Sequence, residues 1–462
     1  MGVCKSGLRA RMVCGGALAL PPESSDRRAM STPKSKVAIV RTSPETVLED
    51  YHRLMNLAGY QDVVAKDADT GLKVNISWHF FFPSSSTTPW QLDGVIRAML
   101  RDGYRKDLIH ACHNRTVVID AHLGERENKQ LDVVEAHGLR NVHLYEGEEW
   151  IHINDAVGDL TKKFLCLRDV FPKGFAIPKR FIGENIIHLP TIKTHIFTTT
   201  TGAMKNAFGG LLNEHRHWTH PVIHETLVDL LMIQKKIHRG VFAVMDGTFA
   251  GDGPGPRCMV PYVKNVLLAS SDQVAIDALA AKLMGFDPLR DCKFVRLAHD
   301  LGLGCGDTRD IEVVGDVDAA SENWHFDGPF KQMTFASRNQ HRIYWGPLKK
   351  PLEWSLKTWL APWSYVASVA YHDMFWYPRY AKTKMRPVLE SPWGRLFANW
   401  GKVHADAEGR GFPDVGSESP ELVRKGLAHF MEAARLIGMA VKESPELQVK
   451  KRAGTAYFTN HG

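Results

Sequence analysis

Short apolar runs of strand length alternate with helical patterns through the first two thirds of this chain, and this alternation limits the folds that it can adopt. Such runs are typical of strands buried in a sheet, and the stretches between them are typical of helices that cover it. The predicted strands lie at 37–40, 74–77, 117–119, 142–145, 185–189, 241–245, 263–269 and 311–314. We therefore predict an α/β fold, with helices covering a sheet of mostly parallel strands, over residues 36–316.

Three helices are predicted in this region from their start and stop signals. Proline is favoured at the first position of a helix, polar side chains cap its start, and glycine commonly ends it. On these signals the helices run from Leu92 to Leu100, from Pro221 with His220 as its N-cap to about Ile237, and from a cap at Ser271 or Asp272 to Gly285.

The two ends of the chain differ from this α/β region. Residues 1–35 are predicted to be a disordered extension or to precede an alternative start at Met30, because their apolar part is short for a signal peptide. Residues 317–408 form a predicted Trp-rich subdomain, since seven of the twelve Trp lie between Trp345 and Trp400. This subdomain either packs on the main body or meets a membrane surface or an apolar ligand. Residues 409–462 are predicted to be a linker, a docking helix and a tail.

The composition argues against several classes of function. The net charge is +7, but Lys and Arg are scattered and form neither the basic stripe nor the module typical of nucleic-acid binding. The most apolar stretch is too short to span a bilayer. The seven Cys contain no Cys-x-x-Cys pair, so an iron–sulfur module and a disulfide framework are not expected, and a reducing cytoplasmic location fits them. An anionic small molecule is an adequate partner for this charge.

The stretch from Leu189 to His224 holds the densest group of side chains that can do chemistry. Lys193 and His195 follow directly from a predicted buried strand. In open α/β sheets, ligands collect at the carboxyl ends of strands. We therefore expect both side chains at a ligand-binding edge of the sheet.

A threonine run leads from this strand into a predicted helix. Thr200 or Thr201 is the predicted N-cap, so Gly202 begins the helix and free N–H groups meet its positive end. Lys205 in the first turn, followed by Asn206, can bind an anion or, if desolvated, act as a nucleophile. The alternative interpretation is a capped surface helix with an ordinary lysine.

Three histidines further along are candidate metal ligands. His220 and His224 are four residues apart, which is one helical turn, and His217 lies in the preceding loop. Imidazoles at this spacing can face one divalent ion such as nickel or zinc. Glu225 and Asp229 are available to orient the rings. Alternatively, these are polar side chains exposed in a cleft and hydrogen-bonded to water or backbone.

A glycine-rich segment, Asp246–Arg257, follows another predicted strand. Its four glycines, Gly253 among them, let backbone approach a ligand closely, while Asp246, Asp252 and Arg257 supply charge. The segment matches neither the dinucleotide-binding fingerprint nor the phosphate-binding loop, so no NAD or ATP site is predicted. A wide turn without a ligand is the alternative interpretation.

Four motifs in order resemble those of the domain-of-unknown-function 362 family, over roughly residues 36–316. They are Leu189–His195, Thr201–Asn206, Asp246–Pro256 and Ser271–Asp277. Many members of that family also carry a ferredoxin-like cluster domain, which is missing from this sequence. The resemblance therefore gives no support to a redox role.

The same segment is similar, more distantly, to the nickel-pincer lactate racemase family. There a catalytic histidine is followed ten residues later by the lysine that holds the pincer cofactor covalently, and a histidine downstream ligates nickel. The resemblance implies these roles for His195, Lys205 and His220, respectively. The glycine-rich bridge of the racemases is replaced here by Thr198–Thr201, and their second catalytic histidine has no assigned counterpart.

Together these features predict an enzyme that acts on an anionic small molecule. Racemase- or isomerase-like chemistry with a metal-bearing or covalently held cofactor is one form of this hypothesis. His195 is then the acid/base, Lys205 the anion holder or cofactor anchor, and Lys193 a further catalytic candidate. The alternative is a non-catalytic anion- or cofactor-binding protein whose Trp-rich segment makes peripheral contact with a membrane or with a partner.

Overall fold

A ten-stranded sheet runs through the computed structural model, which describes residues 35–400 except 115, 117, 213, 348 and 350–365. The described strands are β1 (Lys36–Arg41), β2 (Thr70–Val74), β3 (Ile109–His113), β4 (Arg140–His143), β5 (Trp150–His152), β6 (Ala176–Pro178), β7 (Asn185–Leu189), β8 (Thr191–His195), β9 (Thr199–Thr200), β10 (Gly240–Asp252), β11 (Val260–Ser270) and β12 (Glu312–Gly315). The order in the large sheet is β12-β1-β11-β10-β7-β2-β3-β4, with β8 beside β10 and β9 beside β8, whereas β5 and β6 pair separately. Six pairings in the large sheet are parallel and three are antiparallel.

Helices cover both faces of this sheet. The described α-helices are α1 (Val47–Leu57), α2 (Pro89–Arg101), α3 (Ala121–Glu127), α4 (Gln130–His137), α5 (Ile153–Val157), α6 (Leu167–Val170), α7 (Gly202–Asn206), α8 (Phe208–Leu211), α9 (Ile223–Ile237), α10 (Gln273–Met284), α11 (Pro288–Asp291), α12 (Lys293–Asp300), α13 (Phe335–Tyr344), α14 (Lys382–Leu389) and α15 (Pro392–Asn399). A π-helix, Ala370–Ala381, lies between α13 and α14. Alternate side chains of β1 enter opposite cores: Val37 and Ile39 pack with α9, α10 and α12, whereas Ala38 and Val40 pack with α1 and α2. The predicted α/β fold is therefore confirmed.

Two predicted strands are misplaced. The strand predicted at 74–77 lies about four residues too late in the sequence. The observed strand β2 ends at Val74, and polar residues follow it. The run at 117–119 is not a strand in its described part, where Thr116 and Ile119 form only an isolated bridge. The strand in this region is β3, in which two histidines interrupt the apolar pattern. Its position between β2 and β4 buries all five of its residues, which the local sequence does not indicate.

The predicted start of α9 is wrong by two residues. Pro221 lies inside a 3-10 segment, Glu214–Val222, and α9 begins only at Ile223. His220 is consequently not an N-cap, and it does not share one regular helix with His224. The predicted caps of α10 are confirmed, since Asp272 accepts hydrogen bonds from two N–H groups of the first turn and Gly285 ends the helix with a φ of 101°.

The described part of the Trp-rich segment packs on the α/β region. Trp376 and Tyr377 lie 5.7 and 4.9 Å from Trp78 between ring centroids. Trp393 lies 5.1 Å from Trp90 in the core that contains α1 and α2. These contacts bury the rings and agree with the packing interpretation, whereas the predicted boundaries of the subdomain stay predictions.

The N-terminal extension and the docking helix predicted after residue 409 lie outside the described residues. In the part of the chain that the structure describes, no helix has the length and apolar character needed to cross a bilayer.

Candidate functional site

A cavity of about 490 Å³ opens at the carboxyl ends of three parallel strands of the sheet. Lys73 near the end of β2, His113 at the end of β3 and His195 at the end of β8 all line it. Its other described walls include α7, α8, α13 and the 3-10 segment before α9. Residues 75–77, 114, 116, 118–119, 196–197, 254–257 and 367–372 also contribute to the lining. The site thus lies where open α/β sheets collect ligands.

The described lining of this cavity contains four cationic side chains and no carboxylate. The cations are Lys73, Lys205, Arg216 and Arg257. Five histidines line it as well, namely His113, His195, His217, His220 and His372. The charged side chains of the described lining are therefore all cationic, and such an environment attracts anions.

The two lysines of the cavity have weakened basicity. Burial, with the charge of Arg216 added, lowers the pKa of Lys73 and of Lys205 to about 8. Lys73 donates to the carbonyl oxygen of Val74. Lys205 lies 5.4 Å above the ring of Phe208, and its ammonium has no hydrogen bond or ion pair to the described residues. An anionic ligand would supply the partner that Lys205 lacks.

Arg257 is buried, and one nitrogen of its guanidinium lacks an acceptor in the part of the chain that the structure describes. Its Nη2 donates to Ser368 Oγ at 3.2 Å, whereas Nη1 is buried without a hydrogen-bond partner among the described residues. Burial lowers the pKa of this guanidinium. A buried donor without an acceptor costs free energy, and an anion in the cavity would remove that cost.

His195 presents a hydrogen-bond donor to the cavity. The backbone N–H of Phe197 donates to its Nδ1 at 3.1 Å, and burial together with Lys205 lowers its pKa well below the ordinary value. A neutral ring with Nδ1 as acceptor carries its proton on Nε2. This tautomer suits stabilisation of a ligand oxygen and not proton abstraction through Nε2.

His372 has the opposite tautomer. Its Nδ1 donates to the carbonyl oxygen of Ser368 at 2.8 Å, so the lone pair of the neutral ring lies on Nε2. Burial, with a contribution from Arg257, lowers its pKa to about 3. No local motif in the sequence indicates this residue, because it lies among the aromatic residues of the Trp-rich segment.

Several predicted site residues do not line the cavity. Lys193 is completely buried and donates to the Ser85 carbonyl at 2.8 Å and to Thr191 Oγ1 at 2.7 Å, so the structure gives it a role in packing. Thr200 contacts the Cys292 sulfur at 3.8 Å. Of the threonine run, Thr201 lines the cavity, and its Oγ1 is buried without a hydrogen-bond partner among the described residues.

The predicted anion site at the start of α7 is filled by the protein itself. Asp277 on α10 accepts hydrogen bonds from the N–H groups of Ala203 at 2.6 Å and Met204 at 3.0 Å. A Cβ on Gly202 would lie 2.2 Å from an Asp277 oxygen, so the close approach requires glycine. The helix-start interpretation is thus corrected: the carboxylate ligand of this helix belongs to α10. Lys205 reaches the cavity from the end of the same helix.

Some polar residues of the glycine-rich segment form hydrogen bonds within the protein, and Arg257 lines the cavity. Asp252 accepts from the backbone N–H groups of Asp327 and Gly328, both at 2.9 Å, and Gly253 donates to Thr194 Oγ1 at 2.9 Å. Asp246 is fully buried within a hydrogen-bonded network. These groups hold the segment in place, while Arg257 at its end lines the cavity. Asn206, which was predicted on α7, lines the cavity as well.

The three predicted metal ligands are not brought together. His217 and His220 line the cavity, but His224 stacks on Phe294 at 6.3 Å and lies outside the cavity lining. Among the described residues the three do not form a group of ligand atoms within 4.8 Å of one another. Glu225, expected to orient a ring, forms an ion pair with Lys293 at 2.5 Å instead.

Residues 71–282 match the profile of the family described as Domain of unknown function (DUF362). This match covers the four motifs of the sequence and supports the resemblance that they indicated. It does not show a relationship to the lactate racemases.

Two individual proteins are also similar to this chain. A protein named thylakoid-associated, from Synechocystis sp., is 28% identical over 109 residues, which are 23% of this chain and 34% of that protein. The chain thus spans about a third of the length of this curated relative. A crystal structure of a protein from Thermotoga maritima matches with a TM-score of 0.28 and 12% identity, over 48% of this chain and 55% of that one.

Proposed function

We propose that this protein is an enzyme that acts on an anionic small molecule bound in the cavity. One observation carries the proposal: the described lining has four cationic side chains and no carboxylate. Burying several like charges around one cavity is unfavourable, so a carboxylate or phosphate group in the cavity would lower the free energy of the protein.

Proton transfer is the chemistry that the lining best supports. His372 offers a lone pair on Nε2, and an anion that neutralises Arg257 would raise its lowered pKa, so that it can take a proton from the ligand. His195 offers an N–H that can stabilise a developing oxyanion. Lys205, with its pKa lowered to about 8, can return a proton at neutral pH. This division of roles replaces the acid/base role predicted for His195 and is compatible with isomerase or racemase chemistry next to a carboxylate.

A covalently held cofactor is a finer form of the same proposal. The unpartnered amine of Lys205 suits covalent attachment, and His220 lines the same cavity. Such a cofactor would supply an electron acceptor for the ligand carbon. The histidines and arginines of the lining would bind and orient the anionic group.

The proposal is tested by binding and isotope exchange on the full-length protein. A panel of small carboxylates and phosphate esters is titrated by calorimetry, and the ligands that bind are incubated in D2O and examined by NMR. We expect deuterium to appear at a carbon next to the carboxylate. His372→Gln should keep the affinity and slow the exchange by about 100-fold or more.

Two results would contradict this expectation. If no anion of the panel binds, the anion site itself is refuted. If anions bind without deuterium exchange, the non-catalytic binding protein is favoured instead.

The non-catalytic candidate has its own support in three exposed aromatic side chains, Phe335, Phe375 and Tyr380, which suit peripheral contact with a membrane or a partner. A cytoplasmic location is part of the leading proposal.

The affinity for the anion is expected to fall as the pH rises through about 8. In the free protein burial lowers the pKa of Lys73 and Lys205 to about 8, and both must be protonated to attract the ligand. The affinity should be constant between pH 6 and 7 and should fall above pH 8 by up to about tenfold per pH unit for each lysine. Burial lowers the pKa of His195, His220 and His372, so these rings stay neutral over that range.

Calorimetric titrations between pH 6 and 9.5 check this dependence. The Lys205→Met variant should bind more weakly and lose about one unit of the limiting slope of log affinity against pH. An unchanged slope in this variant would show that Lys205 is not linked to the anion.

A further inference from the structure

A cluster of histidines and carboxylates lies at the edge of the cavity. His113 is the last residue of β3 and His143 the last residue of β4, and the two are direct neighbours in the parallel register. Their side chains therefore leave the sheet on the same face, with ring centroids 4.6 Å apart. His113 is buried and lines the cavity, and His143 is half-buried.

Glu125 on α3 brings a carboxylate between these two rings. Its Oε2 lies 3.0 Å from His113 Nε2 and 3.1 Å from His143 Nε2. The three ligand atoms lie within 4.8 Å of one another. In a tetrahedral zinc site with bonds of about 2.0–2.2 Å, neighbouring ligand atoms are roughly 3.3 Å apart. Small side-chain shifts would therefore suffice to admit one ion.

Two further residues surround this trio in a way typical of metal sites. Glu146 lies 3.4 Å from His143 Nδ1 and 2.7 Å from His122 Nε2. The other ring nitrogen of each histidine faces Glu125. His122 Nδ1 lies 3.5 Å from Glu125 Oε1, and His143 Nε2 lies 3.1 Å from Glu125 Oε2. A carboxylate that accepts the distal N–H of a ligating histidine fixes the tautomer and leaves the other lone pair for the metal.

We propose that His113, Glu125 and His143 bind a divalent transition metal, best matched by zinc, with His122 and Glu146 completing and orienting the site. Imidazole nitrogens combined with a carboxylate oxygen suit zinc and its neighbours, whereas calcium and magnesium prefer oxygen ligands alone. Because His113 lines the cavity, a metal bound there would lie at the cavity wall. The inference is independent of the proposed enzymatic function.

The site is tested on the full-length protein after treatment with a chelator. Zinc is titrated in competition with a chromophoric chelator, and cobalt is used to obtain the visible absorption spectrum of the bound ion. We expect one zinc per chain. Glu125→Gln and His143→Asn should each weaken binding by about 100-fold or more, whereas the matched control His220→Asn should bind as the wild type does.

The absence of stoichiometric zinc binding would overturn the proposal, as would binding that survives Glu125→Gln and His143→Asn but is lost in His220→Asn. If the two ligand variants do not fold, a protection experiment on the wild-type protein tests the site instead. Zinc should then protect His122 and His143 from diethyl pyrocarbonate, as located by peptide mass analysis, and leave His152 as reactive as before. If zinc leaves the modification of His122, His143 and His152 unchanged, no metal binds at this cluster. Glu125 then only accepts hydrogen bonds from its histidine neighbours.

Discussion

Replacing Asp246 with alanine is expected to destabilise the protein by about 3–5 kcal/mol. The carboxylate is fully buried and joins two helices to β10. It accepts hydrogen bonds from Tyr51 of α1 at 3.1 Å, Trp90 of α2 at 3.0 Å and Thr248 of β10 at 2.6 Å, and from the hydroxyl of Thr88, which caps α2. Alanine would leave these donors buried without an acceptor, and each such donor costs about 1–3 kcal/mol.

Urea denaturation followed by circular dichroism measures this loss as a lower midpoint at an unchanged slope. The matched control is Asp159→Ala, because the side chain of Asp159 is 89% exposed and its loss should change the stability by less than about 0.5 kcal/mol. A loss below about 1.5 kcal/mol for Asp246→Ala would show that water or rearranged side chains satisfy the network. Asp246 would then hold the fold less strongly than its contacts indicate.

Replacing Arg257 with methionine is expected to have opposite effects on binding and on stability. Anion affinity should fall by about 10- to 150-fold, which is the value of a charge-assisted hydrogen bond of about 1.5–3 kcal/mol. The ligand-free protein should be at least as stable as the wild type, because Nη1 has no hydrogen-bond partner among the described residues and a buried charge is costly. Methionine keeps most of the side-chain volume.

Calorimetry with the best ligand of the panel and urea denaturation of the free protein check the two halves of this prediction. Arg309→Met is the control, since the side chain of Arg309 is 87% exposed and lies outside the described lining of the cavity. If Arg257→Met destabilises the protein by more than about 1 kcal/mol and keeps the anion affinity, then Arg257 is a packing residue and not a ligand contact.

The elements of the fold are largely predictable from the sequence, because hydrophobic periodicity directly reflects burial. The strand β7 and the helix α10 illustrate this, since an apolar run with a clear stop and a helix with both caps are local signals. The strand β3 fails for the complementary reason. Two of its five residues are histidines, and its burial comes from neighbouring strands that are distant in sequence.

The candidate site is predictable only where its residues lie on such local signals. His195 and Lys205 stand at a strand end and on a short helix, and both line the cavity. By contrast, Asp277 fills the start of α7 from 73 to 74 residues away, and no local pattern reveals that contact. The same holds for His372, which reaches the cavity from the Trp-rich segment.

The contact between Asp277 and α7 also bears on how an anion would be received. Because the carboxylate already holds the first N–H groups of this helix, the backbone that carries Lys205 is fixed before any ligand arrives. Asn206 ties the other end of the helix to the Lys73 carbonyl at 2.8 Å. Preorganisation of this kind reduces the conformational entropy lost on association, so more of the electrostatic attraction in the cavity is retained as affinity.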